Sequence, residues 1–173
     1  MNRLVQPVDR RDHVLGPDDA PVTLVEYGDY ECPYCGRAYG VLKEVLRRVG
    51  DDVRFAYRNF PLSQTHPHAL MAAEAAEAAG AQGRFWEMHD TLFKSQRALD
   101  PDDLLAYAEA VGLDVVRFAQ ELRDEVHIPK IRVDFSSGVR SGVNGTPTFF
   151  INSERFDMPW DPDTLTSAIE HAA

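Results

Sequence analysis

The chain has 173 residues, 44% of them hydrophobic and 27% charged, and its formal net charge is −10 at pH 7. That length suits one domain with a sizeable core. The acidic balance argues against nucleic acid and anionic membrane surfaces as partners, and with no run of about 18 apolar residues in the chain no transmembrane helix is expected.

Residues 1–20 read as an irregular lead-in, closed by the turn chemistry of Gly16-Pro17-Asp18-Asp19-Ala20-Pro21. Met1 to Pro21 has no apolar stretch of the kind a secretory leader needs. As written, the chain is expected in the cytoplasm, or in the periplasm or another extracytoplasmic space if a leader has been removed. Val22 to Tyr27 reads as a strand, with Val22, Leu24 and Glu26 on one face. Glu26 is then either an acid at a strand end that reaches water or a buried carboxylate that exchanges protons with Cys35. Gly28 to Glu31 is a short loop. Gly36 to Val49 has the helical stripe Val41, Leu42, Val45, Leu46, Val49, and Gly50-Asp51 ends it. Val53 to Arg58 alternates as a second strand, so 22–58 form a βαβ unit, expected parallel with a right-handed crossover.

A helical block follows. Pro67 suits a first turn, and the Ala- and Glu-rich run from His68 to Ala79 favours helix. Gly80 and Gly83 mark a break, after which Phe85, Met88, Leu92 and Phe93 share one core face. Asp100-Pro101-Asp102-Asp103 opens another helix, and Asp114 a short one carrying Val115, Phe118 and Leu122. Ile131 to Gly142 is expected as a helix with Ile131, Phe135, Val139 and Val143 inward and Pro129 in its first turn. Asn144 to Pro147 turns, and Thr148 to Ile151 pairs antiparallel with Glu154 to Phe156 across Asn152-Ser153. Asp161-Pro162 opens the last helix, with Leu165 and Ile169 inward.

Chemistry concentrates at Cys32-Pro33-Tyr34-Cys35, which holds the only two cysteines. At this spacing a disulfide is within reach. The pair lies where a strand hands over to a helix N-terminus, whose free N–H groups and dipole favour a thiolate. A closed zinc site needs about four ligands, and the chain has no second CxxC. His66-Pro67-His68 does not have a recognised ligand spacing. A structural disulfide here would close only about four residues and remove little unfolded-state entropy. Redox chemistry is the reading that remains, and no metal is expected.

Four stretches carry a family resemblance: Val25 to Cys35, His66-Pro67-His68-Ala69, Gln82 to His89, and Gly145-Thr146-Pro147-Thr148-Phe149. With the order of elements, they make the chain resemble the DsbA-like thiol:disulfide oxidoreductases over about residues 13–172. The resemblance implies an α/β thioredoxin fold, a mixed central sheet flanked by helices, with an inserted all-helical subdomain. The expected division is a lead-in over 1–20, a strand–helix–strand part over 21–62, the helical insertion over 63–127, and a second part over 128–173 with a cis-proline loop. It also implies Cys32 as the more exposed nucleophile of lowered pKa, Cys35 as the buried resolving thiol, and Glu26 as the buried acid. Pro147 would be the cis-proline facing the cysteines, with Thr146 presenting its backbone to an extended substrate.

The resemblance also implies that the two residues between the cysteines, Pro33 and Tyr34, tune the thiolate; they are the pair familiar from glutaredoxins, whereas periplasmic oxidases of this family carry Pro-His. Asp29 and Glu31 beside Cys32 oppose the thiolate, while the helix terminus favours it. A reduction potential between about −270 mV, the value for thioredoxin, and about −120 mV, that of DsbA, is expected. No cofactor beyond the Cys32–Cys35 pair is implied. The partners implied are protein thiols or disulfides and a redox donor or acceptor, met by a monomer. A thioredoxin-fold adaptor, in which redox cycling is secondary, is the competing reading.

Overall fold

The computed structural model describes residues 3–173. Five strands and seven helices follow in order: β1 (His13–Leu15), β2 (Val22–Gly28), α1 (Pro33–Val49), β3 (Val53–Asn59), α2 (Ala69–Ala81), α3 (Phe85–Lys94), α4 (Pro101–Ala110), α5 (Val115–Arg123), α6 (Ile128–Arg140), β4 (Thr148–Ile151), β5 (Glu154–Phe156) and α7 (Pro162–Ala172). They build one sheet in the order β1-β3-β2-β4-β5. β2 and β3 are parallel, with Glu26 opposite Tyr57, while β1, β4 and β5 pair antiparallel with their neighbours. This is the thioredoxin fold with helices α2 to α5 inserted between β3 and α6. Among the described residues, no helix is long and apolar enough to cross a membrane.

β2 and β3 are the central strands, and both are buried over nearly their whole length. That explains their apolar runs, since neither face meets water. α2 is also buried on most sides. Its alanines at 72, 73, 75, 76, 78 and 79 let α3 and α5 approach closely without large side chains between them. The Asn152-Ser153 turn has both residues at positive φ, 46° and 71°, as the tightest hairpin turns require.

Two expectations from the sequence need correction. The lead-in is not wholly irregular, because His13–Leu15 adds an edge strand to β3. The segment before it is held by buried Arg58, whose guanidinium donates to Asp12 at 2.8 and 3.0 Å and to the carbonyls of Gln6 and Pro7. A strand of three residues leaves too short a pattern to read.

The second correction concerns α6. Phe135 and Val139 are exposed, and the buried residues are Ile131, Asp134, Ser137 and Gly138. The inward face is polar and small because it answers polar groups of the sheet. Asp134 accepts from the Asn59 backbone and side-chain amides, and Ser137 bonds the Tyr27 hydroxyl at 2.8 Å. Val143 is buried as expected.

Gly138 sets how closely α6 lies on the sheet. A Cβ there would stand 2.8 Å from the Phe60 ring and 3.0 Å from Tyr27. Phe60 is itself stacked on Phe135, with ring centroids 4.2 Å apart, so it has little room to move. Ala is the better helix former by about 1 kcal/mol, yet overpacking costs about 1–3 kcal/mol. Gly138→Ala is therefore expected to lower stability by about 1 kcal/mol net, read from urea midpoints at unchanged slope.

Candidate functional site

The site forms where three segments meet: the end of β2, the first turn of α1, and the loop before β4. Cys32 is the N-cap of α1, in extended conformation (φ −69°, ψ 122°), with Pro33 in the first helical turn. The helix begins at Pro33, three residues earlier than the apolar stripe indicates, so Cys35 lies inside its first turn. The Asp29 carbonyl accepts from Cys32 N–H at 3.1 Å, and the Cys32 carbonyl accepts from Gly36 N–H at 3.1 Å. Both thiols are free.

Cys32 is 3% exposed and Cys35 fully buried, so the expected difference in access is small at the backbone-framed site itself. Tyr34, between them, is 56% exposed, with the Arg37 guanidinium 4.6 Å over its ring. The Thr146–Pro147 peptide bond is cis. The Thr146 carbonyl lies 3.6 Å from Cys32 Sγ, within reach of the thiol hydrogen, which places that loop against the cysteine.

Electrostatics separate the two thiols. A hydrogen bond from Cys35 does most to bring the Cys32 pKa down to about 5, against the opposing effect of burial; the Thr146 side chain and the backbone N–H groups of Cys35 and Tyr34 add to the lowering. Burial above all pushes the Cys35 thiol up, with the same hydrogen bond and the Glu26 charge adding to it. Glu26 is 1% exposed, and its Oε1 has no hydrogen-bond partner among the described residues. Burial, then the Cys32 charge, raises its pKa to about 8. Of the two sequence readings for Glu26, the acid reaching water is excluded by its burial.

The structure thus brings Cys32, Cys35, Thr146 and Pro147 together, with Glu26 coupled to both thiols. It also adds residues that sequence reasoning missed. Gln96, just beyond α3, donates to the carbonyls of Cys32 (2.8 Å) and Tyr30 (3.0 Å). A Cβ on Gly36 would overlap the Gln96 amide, so that glycine makes room for the tether. Tyr30 is buried, its hydroxyl 2.9 Å from His89 Nδ1, and burial lowers the His89 pKa to about 3. The HPHA stretch was a signal for a further pair of contacts: His66 and His68 bond the carboxylates of Asp29 and Glu31. The acids beside Cys32 are therefore not free charges, as their sequence positions suggest.

A family model described as Thioredoxin matches residues 9–171. Among curated relatives, Na(+)/H(+) antiporter NhaA 1 of Salinispora arenicola (strain CNS-205) is 49% identical over 170 residues, 98% of this chain and 26% of the relative. Na(+)/H(+) antiporter NhaA 1 of Mycobacterium sp. (strain KMS) is 48% identical over 172 residues, 96% of this chain and 28% of the relative. The chain thus spans about a quarter of the length of these relatives. Among solved structures, oxidised BdbD from Bacillus subtilis superposes with a TM-score of 0.87 at 26% identity, covering 96% of this chain and 95% of that one. A thioredoxin-like oxidoreductase from Silicibacter pomeroyi DSS-3 gives 0.84 at 29% identity, covering 95% and 93%. Wolbachia pipientis alpha-DsbA1, at 21% identity and 0.82, covers 98% and 94% and shares the fold.

Proposed function

We propose, since this chain belongs to the thioredoxin family and is DsbA-like in its inserted helices, that it is a thiol:disulfide oxidoreductase acting on protein thiols or disulfides through Cys32 and Cys35. The observation that carries this reading is the placement of Cys32 at the N-cap of α1, with Cys35 buried in the first turn behind it and the cis-Pro147 loop against its Sγ. At neutral pH Cys32, with its pKa near 5, is a thiolate, while Cys35 keeps its proton.

In the reductive direction, the Cys32 thiolate attacks a substrate disulfide. One S–S bond forms, one breaks, and the first substrate sulfur leaves as a thiolate that takes a proton from water. The cis-Pro147 loop presents the Thr146 backbone to the substrate strand, and Tyr34 flanks it. Forming the mixed disulfide removes the Cys32 charge, one of the two causes that keep Glu26 protonated. Glu26 ionises more easily at that stage: it gives its own proton to water, and the carboxylate so formed accepts the Cys35 proton. The Cys35 thiolate attacks Cys32, closes the Cys32–Cys35 disulfide, and releases the second substrate thiolate. Oxidation of a dithiol substrate runs the same steps backwards. The pair itself carries the two electrons, so the reading needs no other cofactor.

The reduction potential tests this. A Cys pKa near 7 accompanies about −270 mV in thioredoxin. Lowering it to about 5 stabilises the reduced form at neutral pH by roughly fiftyfold, which raises the potential by about 50 mV. Equilibration with glutathione buffers is expected to give about −220 mV. A pair that cannot be cycled would overturn the reading.

The relatives named Na(+)/H(+) antiporter, in which this chain spans about a quarter of the length, favour a second reading. In it the domain is a binding module beside a membrane transporter. Such a module would work equally well with both cysteines replaced by serine, whereas the redox reading expects that double variant to be inactive.

A further inference from the structure

The Asp29–Cys32 turn is clamped from outside by one short segment of chain, residues 62–68. Asp29 has a fully buried side chain. Its Oδ1 accepts from Glu31 N–H at 2.8 Å, and its Oδ2 accepts from Leu62 N–H at 2.9 Å and faces His66 Nδ1 at 2.8 Å. Glu31, immediately before Cys32, accepts from the His68 backbone N–H at 2.6 Å through Oε2 and faces His68 Nδ1 at 2.7 Å through Oε1. The other ring nitrogen of His68 lies 3.1 Å from Asp100 Oδ1, at the N-cap of α4.

The protonation state of His68 follows from this arrangement. Both ring nitrogens face carboxylate oxygens. A neutral imidazole would turn a lone pair toward one of them, and only the imidazolium donates to both. Its raised pKa, owed first to the Glu31 hydrogen bond, agrees with the geometry. The site therefore holds a cation in bridging contact with the acid next to the nucleophile. Other ionisable groups near the nucleophile include Glu26 and Cys35 on the inner side, Tyr30 and Tyr34 on either side of it in sequence, and Arg37 on α1 over Tyr34. Among the described residues, none of these side chains is hydrogen-bonded to the Glu31 or Asp29 carboxylate.

We propose that His66 and His68 are positioning residues for disulfide exchange: by binding the Asp29 and Glu31 carboxylates they hold the Asp29–Cys32 turn in place and offset the negative charge that those acids would otherwise impose on the Cys32 thiolate. This rests on Cys32 being the nucleophile. It gives a role to the two histidines and two acids that the exchange steps leave unused. His68 supplies the charge, and His66 anchors the more deeply buried acid.

The test is a titration that needs no turnover. The ultraviolet absorbance of the Cys32 thiolate is followed against pH in the reduced protein and in His68→Asn, with circular dichroism melts of both. Loss of the cation is expected to raise the thiolate pKa by about one unit. At neutral pH that makes the pair about tenfold more reducing against glutathione, about 30 mV. Glu31→Gln alone is expected to lower the thiolate pKa, and combining it with His68→Asn should return the value to near that of the wild type. A purely structural role would lower the melting temperature and leave the thiolate pKa where it was, with no recovery in the double variant; that result overturns the proposal. If His68→Asn does not fold, Glu31→Gln decides, since an unchanged thiolate pKa in it counts against the inference. Failure of the oxidoreductase reading would show separately, as a wild-type pair that does not cycle in glutathione buffers.

Discussion

Cys32→Ser is expected to abolish insulin reduction, with a loss of more than about a thousandfold. The serine hydroxyl stays protonated where the cysteine is a thiolate with a pKa near 5, so the attacking species disappears. Cys35→Ser is expected to fail differently. Its Cys32 still attacks, but nothing resolves the product, and mixed disulfides accumulate that non-reducing gels display. The two phenotypes separate nucleophile from resolving thiol. Equal behaviour of the two variants, or residual turnover in Cys32→Ser, would sink the assigned roles.

Glu26→Gln is expected to stabilise the reduced protein and slow it at the same time. In the fold the acid holds its proton up to about pH 8, whereas the unfolded chain releases it near 4.5. Below the unfolded value both states are protonated, and burial of the neutral acid carries no titration penalty. As pH rises from there, the unfolded chain gains the freedom to ionise and the fold loses stability, until the folded pKa is passed. At neutral pH the loss amounts to about 3 kcal/mol. Gln removes the titration, so the variant should exceed the wild type by about 3 kcal/mol at pH 7 and by little at pH 4. Urea midpoints at the two pH values measure this, and an equal gain at both would show that the carboxylate is not titrating. Resolution of a preformed mixed disulfide should slow by roughly a hundredfold, because Cys35 has lost its base. Strongly perturbed acids of this kind cluster at functional sites.

Most of the architecture was legible from pattern. The βαβ unit, the helical insertion, the antiparallel β4–β5 hairpin and the C-terminal helix each announce themselves through apolar period, caps and turn residues, which act over a few residues. β1 escaped because three residues show no period, and what holds it is pairing with β3. The inner face of α6 escaped for a different reason. Asp134 and Ser137 read as solvent residues, but Asn59 and Tyr27 present polar groups that must be answered inside.

The available chemistry is written in residue type and spacing: one CxxC pair at a strand–helix junction, an acid six residues before it, and a Thr-Pro turn before a late strand. These are local facts. The electrostatic setting of that chemistry arises from contacts between segments far apart in the chain. Folding buried Glu26 with no hydrogen-bond partner for Oε1 among the described residues, set the Thr146 carbonyl 3.6 Å from Cys32, and brought His66 and His68 onto Asp29 and Glu31 across 37 positions of chain. Charge and burial depend on distance in space, and separation along the chain carries little information about either.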